Sequence, residues 1–121
     1  MANPELFESL KSLLTPYVDK GFTVVTDDEV NFWISSVRPL VIEGRKFDQI
    51  YLAGVRNGKS STVLHYFPIY GNPKMALDPA LLKLLKGKTC FHFKTLDDTL
   101  SKAVTEALEM GYQAYKKNGW V

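Results

Sequence analysis

The sequence predicts an α+β fold: a curved, mostly antiparallel sheet with an N-terminal and a C-terminal helix packed on one of its faces. Three observations carry that expectation. Apolar residues recur at helical spacing near both ends of the chain. Between them, several short runs alternate apolar and polar residues at the strand period, with turn residues separating the runs. At the centre, Phe47 to Tyr70 reads FDQIYLAGVRNGKSSTVLHYFPIY, two apolar-rich runs on either side of Asn57-Gly58.

Taken in order, Pro4 to Val18 is a helix with Phe7, Leu10, Leu14 and Tyr17 on one stripe. Asn3 is its expected cap, and Pro4 suits its first position. Gly21 is the expected left-handed terminator. Phe22 to Val25 is a short β-branched strand, followed by the acidic turn Thr26-Asp27-Asp28-Glu29. Val30 to Ser35 alternates Val30, Phe32 and Ile34 with Asn31, Trp33 and Ser35 and reads as a strand, with a short helix as the alternative. Leu40 to Ile42 is another short strand, turning at Glu43-Gly44-Arg45.

Asn-Gly is the preferred centre of a two-residue type I′ turn, because both positions need positive φ. Such a turn at Asn57-Gly58 places Val55 opposite Ser60, Ala53 opposite Thr62, Tyr51 opposite Leu64 and Gln49 opposite Tyr66. Ile50, Leu52, Val63, His65 and Phe67 then share the other face. Each buried apolar side chain contributes about 1.5–3 kcal/mol, so the face richer in large hydrophobes is assigned to the helices. By that count Ile50, Leu52, Val63 and Phe67 face the helices, and His65 is a core-side residue. Tyr51 and Tyr66 face away.

Pro68 closes the second hairpin strand, and Gly71-Asn72-Pro73 is a break. Asp78-Pro79 caps a leucine-rich helix over Ala80 to Lys86, stopped by Gly87. Thr89 to Lys94 is a strand with Phe91 and Phe93 on one face and Cys90, His92 and Lys94 on the other. Thr95-Leu96-Asp97-Asp98 is a capping-box-like start to the last helix, with Asp in place of the preferred Glu; Leu100, Val104, Ala107, Leu108, Gly111 and Tyr115 lie on its stripe and Asn118-Gly119 is its stop.

The 121 residues are enough for one self-sufficient core, and residues 1–121 read as a single domain. A hydrophobic share of 45% against 23% charged excludes a disordered chain. The net charge of +2 names no partner, but charge is unevenly spread. Residues 74–94 hold Lys74, Lys83, Lys86, Lys88 and Lys94 against Asp78 alone, so an anionic ligand would prefer that region. Cys90 is the only cysteine, which rules out an internal disulfide. With no leader-like N-terminus and no apolar run of membrane-spanning length, the expectation is a cytoplasmic protein without a membrane partner.

No catalytic or cofactor motif is present. Gly54 to Ser61 contains Gly-Lys-Ser, but the spacing is one residue short of a phosphate loop. Cys90 and His92 share a strand face as metal ligands do, yet no further Cys or His sits at metal spacing. A Cys/His enzyme would need a base within reach of the thiol and a third group to orient it. The stronger constellation is the sheet face opposite the helices, where Tyr51, Leu64, Tyr66, Cys90, His92 and Lys94 converge with Trp33 and Arg38. Aromatic rings with a few polar groups suit a small-molecule or protein partner. The weaker alternative is nucleic acid, held by stacking and positive charge.

The run from Phe47 through Tyr70, the segment LLKLLKGKTCFHFKTLDD and the ending GYQAYKKNGWV resemble the YdhG-like family of small bacterial domains of unknown function. The likeness covers roughly residues 30–121. It implies an α+β fold with a curved antiparallel sheet. Some members are assigned as frataxin-like iron chaperones, so the resemblance implies iron binding as an alternative function. Asp27, Asp28 and Glu29 are the surface acids available for it.

Overall fold

The computed structural model describes residues 4–37, 40–42, 44–58, 61–71, 77–87 and 89–121. Its first helix, α1 (Pro4–Leu14), buries Leu6, Phe7, Leu10 and Leu14, the apolar stripe visible in the sequence. The expected continuation to Val18 tightens instead into a 3₁₀ segment, Thr15–Lys20. Pro16 causes the change, since it lacks the N–H that an α-helical turn requires. Gly21 ends the segment at φ +107°, as its position predicts. Asn3, the expected cap, lies outside the described residues.

Strands β1 (Thr23–Asp27), β2 (Asn31–Ser36), β5 (Ile50–Asn57), β6 (Thr62–Tyr66), β7 (Leu85–Lys86) and β8 (Cys90–Phe93) form one open antiparallel sheet in the order β1-β2-β5-β6-β8-β7. Strands β3 (Leu40–Ile42) and β4 (Arg45–Phe47) pair separately across Gly44, at φ +80°. Helix α4 (Asp98–Lys117) packs with α1 on one face of the large sheet, together with the short helices α2 (Pro68–Gly71) and α3 (Pro79–Leu82). The cap of α4 is Asp97, two residues beyond the Thr95 of the expected capping box; it accepts the Leu100 N–H at 2.8 Å, and Asn118 closes the helix. The fold is therefore α+β with both terminal helices on one side.

Residues from every layer meet in the core. Leu10 and Leu14 of α1, Val104 and Leu108 of α4, and Ile34, Val55, Leu64, Phe91 and Phe93 of the sheet are buried in one cluster. At roughly 1.5–3 kcal/mol per fully buried side chain, this cluster holds the helices to the sheet.

Three expectations are corrected. The leucine-rich helix does not reach Lys86: α3 stops at Leu82, and Leu85 and Lys86 pair with Phe91 and Cys90 around Gly87 at φ +83°. Four residues make too short a helix to hold itself, whereas pairing with β8 satisfies backbone groups along that strand.

The central hairpin is also wider than a two-residue turn. Its last pair is Asn57 with Thr62, and the Gly58 N–H donates to the Ser61 carbonyl at 3.0 Å. Val55 therefore faces Leu64 and Ala53 faces Tyr66. Asn57 is a strand residue because its N–H donates to Val30 and its side chain accepts from Thr62, each at 2.8 Å. Gly58 does not adopt positive φ.

Finally, the two hairpin faces are exchanged. Ala53, Val55, Leu64 and Tyr66 face the helices, and Tyr66 donates its hydroxyl to the Ala107 carbonyl. Its place against α4 needs Gly111, where a methyl group would lie 2.5 Å from Pro68 Cγ and 3.0 Å from the Tyr66 hydroxyl. A bulge decides the rest. Ile34 pairs with Ala53 but Ser35 pairs with Tyr51, leaving Leu52 as the extra residue. Beyond it the alternation reverses, which returns Leu52 and Ile50 to the core and sends Tyr51 to the other face.

Candidate functional site

The face away from the helices is ordered by a single cross-strand row. Directly opposed residues share a sheet face, and the pairings run Thr26, Trp33, Gly54, His65, Cys90, Lys86 across all six strands. A second row beside it runs Asn31, Arg56, Val63, His92. His65 and His92 thus lie on one surface, contrary to the placement of His65 on the core side.

Gly54 is the gap in the first row. A methyl group there would lie 2.3 Å from the Trp33 ring. Trp33 lies across the bare glycine and meets His65 two strands away, with ring centroids 4.7 Å apart. Tyr51 meets the Trp33 ring edge-on at 5.5 Å and stacks on Phe67 at 5.4 Å. All four rings are half-buried. The Trp33 indole N–H donates to Asn31 Oδ1 at 3.1 Å, which fixes the ring's direction.

Polar groups complete the face. His65 Nδ1 is 3.4 Å from Cys90 Sγ. His65 Nε2 is shielded from solvent and has no hydrogen-bond partner among the described residues. His92 Nδ1 is 3.0 Å from the Ser61 hydroxyl. Both imidazoles titrate below their ordinary range. Burial is the main cause for each, followed by Arg56 and then His92 for His65, and by Lys86 and then Arg56 for His92. The side-chain charges acting on both are cationic.

Of the residues expected on this face, Trp33, Tyr51, Cys90 and His92 are there. Lys94 follows β8 and is exposed at the rim. Leu64 and Tyr66 are in the core, and Arg38 lies outside the described residues. His65, Phe67, Arg56 and Gly54 were not assigned to it. A glycine inside an otherwise apolar strand signals close approach by another group, and Gly54 was the available clue.

The Cys90–His65 contact places a nucleophile beside a base, but the imidazole lacks a third group to orient it among the described residues. Nor do three His, Cys, Asp or Glu side chains among them converge to hold a metal ion. In the acidic turn, Asp28 Oδ1 accepts the N–H groups of Val30 and Asn31, and Asp27 pairs with Lys11 at 3.2 Å. Asp28 shapes the turn, and Asp27, at the end of β1, ties the strand to α1. No described helix is long and apolar enough to cross a membrane.

No family model, curated protein or solved structure matches this chain.

Proposed function

We propose that this domain is a non-enzymatic binding module that holds a small, flat ligand against the open face of its sheet. The observation that carries the reading is Gly54, which lets the Trp33 ring lie across the sheet and reach His65. The result is a half-buried aromatic layer beside a shielded imidazole nitrogen with no partner among the described residues and the exposed Arg56. Stacking surface plus a few polar groups is the usual chemistry of small-molecule sites. The rings offer edges and partial faces, which suit a flat molecule better than the broad exposed apolar area of a protein interface. Membership of the YdhG-like family and a cytoplasmic location belong to the same proposal.

Titration with the flat aromatic anion 1-anilinonaphthalene-8-sulfonate tests it. Dye fluorescence should saturate at one site, and Trp33→Leu should weaken binding at least about tenfold, a loss of roughly 1.4 kcal/mol. Leu82→Ser, at an exposed leucine of α3, should leave binding unchanged. Equal binding by the Trp33 variant would overturn the proposal. So would self-association that requires Trp33, because it would identify a protein partner.

A further inference from the structure

Where β7 and β8 meet the start of α4, the sheet ends in a groove of about 540 Å³, within the size range of small-molecule sites. Lys83, Lys86, Lys94 and His92 line it, together with Ser61 and Thr95. No carboxylate lines it among the described residues. Asp97 and Asp98 are the nearest acids along the chain, and Asp97 spends an oxygen on the Leu100 N–H at 2.8 Å. Leu84 and Leu100 supply apolar wall.

Four cationic or protonatable groups come from three separate pieces of chain: α3 with its following turn, β7, and β8 with its exit. Like charges brought together without acids repel one another, and a multiply charged anion relieves that repulsion. Ser61 and Thr95 add donors suited to anionic oxygens. We propose that this groove is the seat for a phosphate group, and that the domain's ligand is a phosphate-bearing small molecule. The inference deepens the binding reading and rests on it in one respect: the groove and the aromatic layer are two ends of one site, joined through His92. That residue lines the groove and stands in the row beside Trp33 and His65. Burial first, then the neighbouring Lys86 and Arg56, lowers its titration.

The direct test is an NMR titration of the whole chain with inorganic pyrophosphate at constant ionic strength. Saturable shifts should appear at Ser61, Lys83, Lys86, His92 and Thr95, and the His92 pKa should rise as the anion offsets the field of Lys86, Arg56, Lys83 and Lys94. Lys86→Gln with Lys94→Gln should weaken binding at least about tenfold. Both side chains are exposed, so the double variant retains its core. Lys117→Gln, at an exposed lysine near the end of α4, should leave pyrophosphate binding intact. Non-saturating shifts, shifts scattered over surface lysines, or equal affinity in the double variant would overturn the groove. Its failure is separable from that of the aromatic layer. A Trp33-dependent dye site without pyrophosphate binding removes the groove alone, and saturable pyrophosphate binding with a Trp33-independent dye removes the layer alone.

Discussion

Side by side on β6, Leu64 and Val63 are almost equally buried, at 1% and 3% exposed, yet they serve different structures. Leu64 enters the cluster that joins the sheet to α1 and α4. Val63 stands outside that cluster, between Arg56 and His92 on the opposite face. The helix side is held by large apolar groups contributed from every layer. The open side is held by ring contacts among near neighbours and by one missing side chain, at Gly54. Burial alone does not distinguish them; what each residue is buried against does. A face built from many interlocking contacts resists change, whereas one arranged around a single glycine can be redrawn by one methyl group.

The largest expected effect sharpens this difference. Leu64→Ala leaves a cavity among the helices and should cost about 2–5 kcal/mol. Val63→Ala removes two methyl groups outside that cluster and should cost about 1–2 kcal/mol. Urea unfolding of both variants measures the gap, and equal losses would erase the distinction between the faces.

Two glycines give a smaller and more specific contrast. Gly111→Ala forces a methyl group against buried Pro68 and Tyr66, and Gly54→Ala forces one against Trp33. Each should cost about 1–3 kcal/mol through overpacking. The half-buried Trp33 can turn toward solvent, so Gly54→Ala should be the milder of the two. Adding Trp33→Leu to Gly54→Ala should recover most of its loss, and adding it to Gly111→Ala should recover none, because only the first pair is in contact. Thermal unfolding of the single and double variants decides whether the two faces respond independently.

The smallest effect is the response of the open face to pH. Burial, then Arg56 and His92, hold the His65 imidazole below its ordinary value of 6.5. Between that folded value and 6.5 the unfolded chain binds the proton and the folded chain does not. Stability should therefore fall as pH drops below about 6.5. His65→Gln should reduce that slope and leave the share of His92, whose imidazole is also lowered. An unchanged slope below pH 6.5 after the substitution would assign it to other groups.

Much of this architecture is local in origin and was legible residue by residue. The helical periods of α1 and α4, the Gly21 and Asn118 ends and the alternation at Phe32 and Ile34 or Phe91 and Phe93 all depend on interactions within a few residues. Of the site, Trp33, Tyr51, Cys90 and His92 were legible as one face. Tyr51 reached it only because the reversed hairpin faces and the bulge at Leu52 offset each other. His65, Phe67 and Tyr66 carried no local mark of their side, since an apolar count treats both faces of a strand alike.

By itself the sequence determined the α+β class, the terminal helices, most strand positions and the concentration of lysines around 74–94. Tertiary structure alone decided the hairpin register, the exchange of its faces and the ending of the leucine-rich helix at Leu82. The reason is the range of the deciding contacts. Asn57 is held in its strand by Val30, Tyr66 is drawn inward by Ala107 and the space at Gly111, and Leu85 is claimed by Phe91. Except between Leu85 and Phe91, those partners are more than twenty residues apart. Which of them meet is settled only when the sheet and helices close around one core.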